Sequence, residues 1–273
     1  MAFVHGKDSV IFLNESNISQ YLNNVDFTRT ADVAETTAFG NDDKNYIAGD
    51  KDGTVSLTGM FDSTADGIIQ PLLGSSTDTS ICIGADGITD GKSIFFGTGP
   101  VTGYGQSSPV GDVVATSIDI QSNAGLFNGL VLDNATITAT GNSTATDNSS
   151  STANGGGAIA IVSSVSGTST PTATIKIQHS SDDVTYVDLV TFTNFTAAGS
   201  QVSEVASGTT INRYLRVNYT ISGTNYDVPS WGKRIVGDLD SSPTPSFVDT
   251  KINDIYFHRN RIGFLADENV ILS

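Results

Sequence analysis

Apolar and polar residues alternate along several short segments of this chain, which is the pattern of a half-buried β-strand. Residues 54–60 read TVSLTGM and residues 115–121 read ATSIDIQ, so every second side chain of each segment would face a core. Further strands are predicted at residues 130–132 continuing to 135–138, 158–162, 172–178, 184–190 and 213–221. Short strands separated by turns predict an all-β chain of the sandwich type.

One short helix is predicted at residues 63–73, between the strands. Asp62 or Ser63 would cap it, Pro71 would shorten or kink it, and Gly74 would end it. The apolar face of this helix would consist of Ile68, Ile69, Leu72 and Leu73. A second, shorter helical turn is predicted at residues 19–22.

The composition divides the chain into four parts. Residues 1–140 form a first β domain, and residues 141–157, GNSTATDNSSSTANGGG, have the composition of a flexible linker. Residues 158–230 form a second, smaller β-sandwich region, and residues 231–273 form a C-terminal arm. Within the first domain, residues 30–52 show little periodicity, and a loop of that length in a compact domain is uncommon unless it is functional or part of an extended hairpin.

The charge balance excludes one large class of function. The 273 residues contain 13 Lys and Arg against 29 Asp and Glu, which is a formal net charge of −16. A protein that grips a phosphate backbone needs clustered Lys and Arg, so we expect no specific nucleic-acid binding. The C-terminal arm is nearly neutral, so the acidic excess belongs to the two β regions.

No motif points to catalysis, a metal or a cofactor. Cys82 is the single cysteine and lies between two isoleucines on a predicted strand, so we expect a buried side chain rather than a disulfide or zinc site. The three histidines are far apart, and neither a phosphate-binding glycine loop nor a nucleophile elbow occurs. Residues 179–183, HSSDD, are interpreted as a hairpin turn. We therefore expect no enzyme, with no catalytic, cofactor-binding or metal-binding residues. We also expect no signal peptide and no membrane span.

The N-terminal part resembles the major tail tube proteins of long-tailed bacteriophages. The resemblance rests on the order of four segments: SVIFL at 9–13, ISQYLNNV at 18–25, AETTAFG at 34–40 and DGTVSLTGMFD at 52–62. Residues 175–182, IKIQHSSD, and 213–217, RYLRV, are similar to the second half of such proteins, so the resemblance covers about residues 1–225.

This resemblance implies a β-sandwich or split barrel with one helix. Members of the family form hexameric rings whose inner strands close into a barrel, and the rings stack into a conduit for double-stranded DNA. The implied partners are other copies of the chain and other tail proteins, without a membrane. The implied location is the virion tail, assembled in the cytoplasm of the bacterial host.

The same resemblance implies that the segment within residues 30–52 contacts the neighbouring ring. The candidate residues for this contact are Glu35, Thr36, Thr37, Phe39, Gly40, Asp42, Asp43 and Tyr46.

Asp119 is the candidate for the channel surface. It lies between Ile118 and Ile120, so on a strand it points away from whatever those two side chains bury. An acidic wall would let DNA pass without holding it. The alternative is an exposed carboxylate on the outer surface.

The C-terminal arm is similar to a block of the tail nozzle (tail tubular) proteins of short-tailed phages. The similar segments are WGKRIVGD at 231–238, SPTPSF at 242–247, INDIYFHRNRIGFL at 252–265 and ENVILS at 268–273. We therefore expect a structural tail tube subunit, with a tail nozzle or terminator component as an alternative. A carbohydrate-binding, adhesive β-sandwich protein is the other alternative. Such a protein would show an exposed aromatic platform, and Trp231 is the single tryptophan that could contribute to one.

Overall fold

A computed structural model describes residues 5–40, 42–167, 170–223, 252–258, 261–266 and 269–272. The chain divides into two compact units, Met1–Asn225 and Tyr226–Ser273. The described residues are mostly strands with one short α-helix, so the predicted all-β class is confirmed.

The first β region forms a two-sheet sandwich. Its strands are β1 (Val10–Leu13), β2 (Ser16–Asn17), β3 (Leu22–Glu35), β4 (Tyr46–Met60), β5 (Thr79–Gly84), β6 (Ser93–Gly99), β7 (Val101–Ser107), β8 (Ala115–Gln121) and β9 (Asn123–Leu130). One sheet has the order β2-β1-β5-β6-β9 and the other the order β3-β4-β8-β7. All pairings within them are antiparallel.

The alternation in the sequence places the first core. Val55 and Leu57 of β4 are buried together with Ile118 and Ile120 of β8, while the residues between them are exposed or half-buried. From the other sheet, side chains of β1 and β5 complete this core, among them Ile11, Leu13, Ile81 and Ile83. The strands predicted at 54–60 and 115–121 are confirmed.

Helix α1 (Ser63–Ile69) and a following 3₁₀ turn (Gln70–Leu72) confirm the predicted helix at 63–73. The Asp62 carboxylate accepts a hydrogen bond from the Thr64 amide at 2.7 Å, which is the expected N-cap. This hydrogen bond lowers the pKa of Asp62. Pro71 lies in the 3₁₀ turn, and Gly74 follows with a φ of 72°. The predicted turn at 19–22 is also present, as a 3₁₀ helix at Ser19–Tyr21.

The second β region packs two further sheets. Its strands are β10 (Gly141–Asn142), β11 (Thr146–Asp147), β12 (Gly156–Val162), β13 (Thr172–Ser180), β14 (Val187–Thr191), β15 (Gly199–Val205) and β16 (Tyr214–Ser222). β10 and β11 both pair with β16, which continues through β13 to β14, whereas β12 and β15 form a separate pair. The predicted strands at 158–162, 172–178 and 213–221 are confirmed, and the one at 184–190 begins later, at Val187.

Two sequence predictions are wrong in this part of the chain. Of the strand predicted at 130–132 and 135–138, only Leu130 lies in a strand, because the ladder between β6 and β9 ends where Ser93 pairs with Leu130. Residues 141–157 are not a free linker, because β10, β11 and the first residues of β12 lie in them, and Thr152 bridges to Ile211. Composition cannot reveal these pairs, which use backbone groups rather than apolar side chains. The division into separate domains at 1–140 and 158–230 stays a prediction.

The sheet of β12 and β15 packs on the first sandwich. Ile159 and Ile161 of β12 contact the outer side of the five-stranded sheet, around the buried Cys82 and Phe96 and the half-buried Phe127. Burial raises the pKa of the Cys82 thiol to about 11, which agrees with its predicted role as a small buried side chain. The five-stranded sheet is therefore covered on both faces, which explains why every residue of β5 is buried.

Asp147 holds the stretch around β11 in place. Its two carboxylate oxygens accept hydrogen bonds from Nε and Nη2 of Arg213, each at 2.6 Å, and the Ser149 amide donates to Oδ1 at 2.8 Å. The Arg213 hydrogen bond lowers the pKa of Asp147 to about 2.

We expect Asp147→Asn to loosen residues 141–155, measured as faster amide hydrogen exchange in that stretch at pH 7. Because the folded pKa of Asp147 lies below its unfolded value near 4, its stabilisation is present above about pH 4. It is lost as the pH falls toward about 2. The difference in melting temperature between wild type and variant should vanish over that range. Glu204→Gln, on exposed β15 surface, is the matched control, and an unchanged exchange rate in Asp147→Asn would contradict the assignment.

The second unit contains three described strands, β17 (Ile252–His258), β18 (Arg261–Ala266) and β19 (Asn269–Leu272). They form an antiparallel sheet in the order β17-β18-β19. Trp231 and the segments WGKRIVGD and SPTPSF of the predicted arm lie outside the described residues.

Candidate assembly surfaces

The long irregular segment of the sequence is the end of a β-hairpin. Residues 30–35 belong to β3 and residues 46–52 to β4, so these parts of the predicted loop are strands. The two strands stay paired as far as Glu35 and Tyr46, with a bulge between Ala31 and Val33. The sequence of residues 30–52 shows no alternation of apolar and polar residues because both faces of this ribbon are exposed. No core therefore requires an apolar side chain at every second position.

The hairpin projects beyond the sandwich. β4 pairs with β8 only from Thr54 onward, and the carbonyl of the buried Gly53 accepts a hydrogen bond from the Ser122 amide, so residues 46–52 have β3 as their one paired strand in the described part of the chain. At about 3.3 Å per residue these seven positions extend about 23 Å. Every described residue from 28 to 52 is exposed. An isolated two-stranded ribbon is marginally stable in water, so this one gains most from a partner.

The turn at the end of the ribbon is closed by hydrogen bonds. The Thr36 amide donates to the Asn45 carbonyl at 2.8 Å, and the Asn45 amide donates to Thr37 Oγ1 at 3.1 Å. Lys44 Nζ lies 3.2 Å from Glu35 Oε2 in an exposed ion pair, which contributes little by itself. These contacts define the turn while its other side chains remain free to contact a partner.

All eight predicted contact residues lie at this end of the hairpin. Glu35 ends β3, Tyr46 begins β4, and the other six lie in the turn. Large apolar side chains are exposed here, and Phe39 reaches 110% of its reference exposure. We call the four exposed apolar residues the tip patch: Val33, Phe39, Tyr46 and Ile47. The register places Val33 and Tyr46 on one face of the ribbon and Ile47 on the other, so a partner would cover both faces.

The four-stranded sheet presents a second surface, on the side opposite the core. Cross-strand partners share a face, so the rows Asn24–Thr58–Ser117–Gly105, Asp26–Ser56–Asp119–Gly103, Thr28–Thr54–Gln121 and Thr30–Asp52 point outward together. We call these residues the polar face. These described residues include three aspartates, and none of them is Lys, Arg or an aromatic residue.

Asp119 lies in the middle of the polar face, as the alternation predicted. Ile118 and Ile120 are 0% and 2% exposed, whereas Asp119 is exposed. Ser56 Oγ donates a hydrogen bond to Asp119 Oδ1. A Cβ atom at Gly103 would lie 3.0 Å from Asp119 Oδ2, so the glycine leaves room beside the carboxylate.

The other two carboxylates of the polar face are also held by neutral donors. Asn24 Nδ2 donates to Asp26 Oδ2 at 2.8 Å, and Gln121 Nε2 donates to Asp52 Oδ1 at 2.6 Å. None of the three is paired with a Lys or Arg in the described part of the chain. Their negative charge is therefore not compensated locally.

Sequence reasoning did not single out Asp26 and Asp52. The signal for Asp26 was present, because it lies between Val25 and Phe27, which pack against the core. Asp26 and Asp119 flank Ser56 in one row, and two strand spacings separate them by about 10 Å. Only the pairing of β3, β4 and β8 brings these distant positions together.

The turn predicted at 179–183 joins β13 to β14. Asp182 Oδ1 accepts hydrogen bonds from the amides of Val184 and Thr185, at 3.0 and 2.9 Å. These bonds and one from Ser180 lower the pKa of Asp182 to about 2. His179 is buried, which lowers its pKa, and its Nδ1 accepts from the Asn212 amide at 3.1 Å.

The aromatic side chain at this turn is not an open platform. The Arg216 guanidinium carbon lies 3.8 Å from the ring centroid of Tyr186 and covers one face of the ring. In the described ranges, no group of three or more His, Cys, Asp or Glu side chains is arranged to hold a metal ion. No helix in those ranges has the length and apolar character needed to cross a membrane.

In comparisons with known proteins, the C-terminal end of the chain shows the highest sequence identity. Residues 217–273 match the family described as bacteriophage nozzle protein. Over 43 residues the chain is 56% identical to tail tubular protein gp12 of Escherichia phage T7. That match covers 16% of this chain and 5% of the T7 protein. The resemblance to phage tail proteins is thereby confirmed for the C-terminal segment, and the family match extends it back into β16.

Several solved structures are similar to part of the chain, and two of them illustrate the match. One is the virion of a native gene transfer agent particle, with 15% identity and a TM-score of 0.40, covering 46% of this chain and 99% of that chain. The other is the extended sheath–tube complex of an extracellular contractile injection system, with 14% identity and a TM-score of 0.38, covering 47% of this chain and 93% of that chain.

Proposed function

We propose that this chain is a structural subunit of a bacteriophage tail, which polymerises as stacked rings around a channel for double-stranded DNA. The observation that carries the proposal is the polar face. Its aspartates are exposed and are not paired with a Lys or Arg of the described residues, and the opposite face of the same sheet packs against the apolar core. The projecting hairpin and the nozzle-type C-terminal segment support it. The function is structural rather than enzymatic, and it needs no cofactor.

The electrostatics of the polar face suit a channel wall. Duplex DNA carries one negative charge for about every 1.7 Å of its axis, and Lys or Arg side chains hold it by releasing condensed counterions. A wall of carboxylates, hydroxyls and amides offers no such contact and repels the phosphates. DNA would therefore pass without specific binding.

The hairpin would join successive rings, which we take to be hexameric as the sequence resemblance implies. A ribbon about 23 Å long is long enough to reach over a neighbouring subunit. Partners would be further copies of the chain and other tail proteins. The location would be the virion tail, after assembly in the cytoplasm of the host.

Electron microscopy of the purified full-length protein tests the proposal. We expect tubes with a regular ring repeat and an open channel, formed without other proteins. A protein that stays monomeric over the whole range of concentration and ionic strength would contradict it. Retention on a glycan array by such a monomer would instead support the adhesive alternative, which the comparisons do not favour.

A second candidate function is a terminal component of the tail, at the nozzle or the tube end. The match of residues 217–273 to the nozzle family favours it. A terminal component would form single rings that do not stack, and it would be present in one ring per virion. The number of copies per particle, measured by quantitative mass spectrometry, separates the two candidates.

A further inference from the structure

A partly open apolar cleft of about 960 Å³ lies beside strand β12, between the first sandwich and the sheet that contains β13 and β16. We call it the β12 groove. Most of its described lining is aliphatic, and side chains from both faces of β12 contribute to it. From β15, on the other side of β12, only Val205 reaches it among the described residues. The groove therefore surrounds the edge of β12 that points away from β15.

This edge of β12 has no paired strand in the described part of the chain. All seven residues of β12 pair with β15, and no other described strand pairs with β12. Every second N–H and C=O group of β12 therefore points away from β15 without a strand to meet it. Such a row of free backbone groups is a template for a further strand.

The two-stranded sheet covers only part of the sheet opposite. Ala158 and Ala160 of β12 pack in one cluster with Ile177 of β13. Val217 and Ile221 of β16 belong to the same inner face, but they are half-buried and line the groove. Because β16 lies next to β13, a strand added beside β12 would lie over Val217 and Ile221.

The other wall of the groove is also apolar. Ile88 and Ile94 of the first sandwich line it, on the side where Ile159 and Ile161 of β12 pack. Successive side chains of an added strand would point to these two walls in turn. A strand that is buried on both faces is a continuous apolar run rather than an alternating one. The groove therefore fits an apolar run of about seven residues, the length of β12.

Asp133 is the one charged side chain in the described lining of the groove. It is half-buried, and no Lys or Arg of the described residues forms an ion pair with it. Burial, and then the charge of Asp90, raises the pKa of Asp133. A cation bound beside this carboxylate would offset both effects. The groove thus favours an occupant that is apolar along its length and carries one cation.

We infer that the β12 groove binds an extended apolar strand of a different tail protein, which pairs with the free edge of β12 and places a cationic residue beside Asp133. In strand addition of this kind, main-chain hydrogen bonds give affinity and side-chain pockets give specificity. The described strands of this chain all pair within its own sheets, so none of them is left to donate. Only the donor's place in the tail rests on the proposed function.

Synthetic peptides test the inference on the full-length protein. The probe consists of one Lys, seven alternating Ile and Val residues, a fluorophore and a polyethylene glycol tail for solubility. A second probe carries the Lys at the opposite end, so that both strand directions are covered. Two N-methylated forms of each probe lack the amide protons of either the odd or the even residues, and these two sets point to opposite edges of a strand.

We expect one N-methylated form to bind like the unmodified probe. The other should bind at least ~10-fold more weakly, because it loses the main-chain hydrogen bonds to β12. Fluorescence anisotropy measures the affinities, and amide hydrogen exchange should slow in Gly156–Val162 when the probe binds. If the protein forms tubes but binds no probe, this inference alone is overturned. If it binds the probe but stays monomeric, the proposed function alone is overturned.

Asp133→Asn tests the charge pair. The variant should bind the Lys probe ~5-fold more weakly, as expected for a partly exposed ion pair. A probe with norleucine in place of Lys should bind the variant and the wild type equally. Asp112→Asn removes the same charge from the exposed turn between β7 and β8 and is the matched control. An equal loss of affinity for both probes would contradict the pairing of the cation with Asp133.

Other occupants of the groove give different results. Equal binding of the two N-methylated forms would show that the groove holds any apolar ligand, such as an acyl chain, rather than a paired strand. Slow exchange in β12 without a probe would show that another part of the chain fills the groove. If that slow exchange depends on protein concentration, a second copy fills it. Each of these results overturns the inference.

Discussion

Removal of the hairpin tip should abolish tube formation and leave a folded subunit. The variant replaces residues 32–50 by an Asn-Gly turn that joins Ala31 to Lys51, which already face each other across the ribbon. Every described residue in the removed segment is exposed, so no core contact is lost. The melting temperature should stay within a few degrees, while the mass of protein in tubes falls at least ~100-fold, since the deletion removes the whole tip patch.

The matched control for this deletion keeps the ribbon and its apolar side chains. Asp42→Ser with Asp43→Ser removes two charges from the turn without shortening the hairpin, and tubes should form as in the wild type or at lower salt. Sedimentation and electron microscopy measure both variants. Tubes of normal length from the deletion variant would show that the hairpin does not join the rings.

Charge reversal on the polar face should slow DNA ejection. Asp119→Lys places a cation in the middle of this face, and Gly103 beside it leaves space for the longer side chain. Repeated around every ring, such cations would attract passing phosphates within a Debye length of about 8 Å. Virions should assemble but eject DNA at least ~10-fold more slowly at low salt, with partial recovery at high salt, because phosphate contacts weaken steeply with salt.

Asp26 should behave like Asp119, because the two flank Ser56 in one row. The double variant Asp26→Lys with Asp119→Lys should eject more slowly than either single variant and with a steeper dependence on salt. Glu204→Lys makes the same change of charge on β15, outside the polar face, and should eject normally. Normal, salt-independent ejection by Asp119→Lys would place this residue on the outer surface of the tube.

Alternation predicted strands accurately where one face of a strand meets a core. The boundaries of β8 coincide with the predicted 115–121, and the outward position of Asp119 followed from Ile118 and Ile120. Helix α1 was also predicted correctly, because the residues that cap it and end it are close to it in the sequence. These features are encoded within ten or so neighbouring positions.

Alternation gave no signal where the burial of a strand depends on its neighbours, although the apolar run around Cys82 did predict the strand that is β5. β5 is buried on both faces because the sheet of β12 and β15 packs on it, so it shows no alternation. The distal part of the β3–β4 hairpin is exposed on both faces and shows none either. Residues 132–138 alternate without forming a strand, and the ladder between β6 and β9 ends before them, at Leu130.

The sequence by itself determined the all-β class, the short helix, the acidic character of the β regions and the nozzle-type segment at the C-terminal end. These depend on composition, local periodicity and matches between contiguous residues. Only the tertiary structure decided that residues 30–52 form a projecting ribbon, that Asp26, Asp52 and Asp119 share one face, and that the four side chains of the tip patch lie together at the end of the hairpin. The physical reason is that these arrangements depend on the register between strands far apart in the chain, and residue 119 meets residues 56 and 26 only when three separate strands pair.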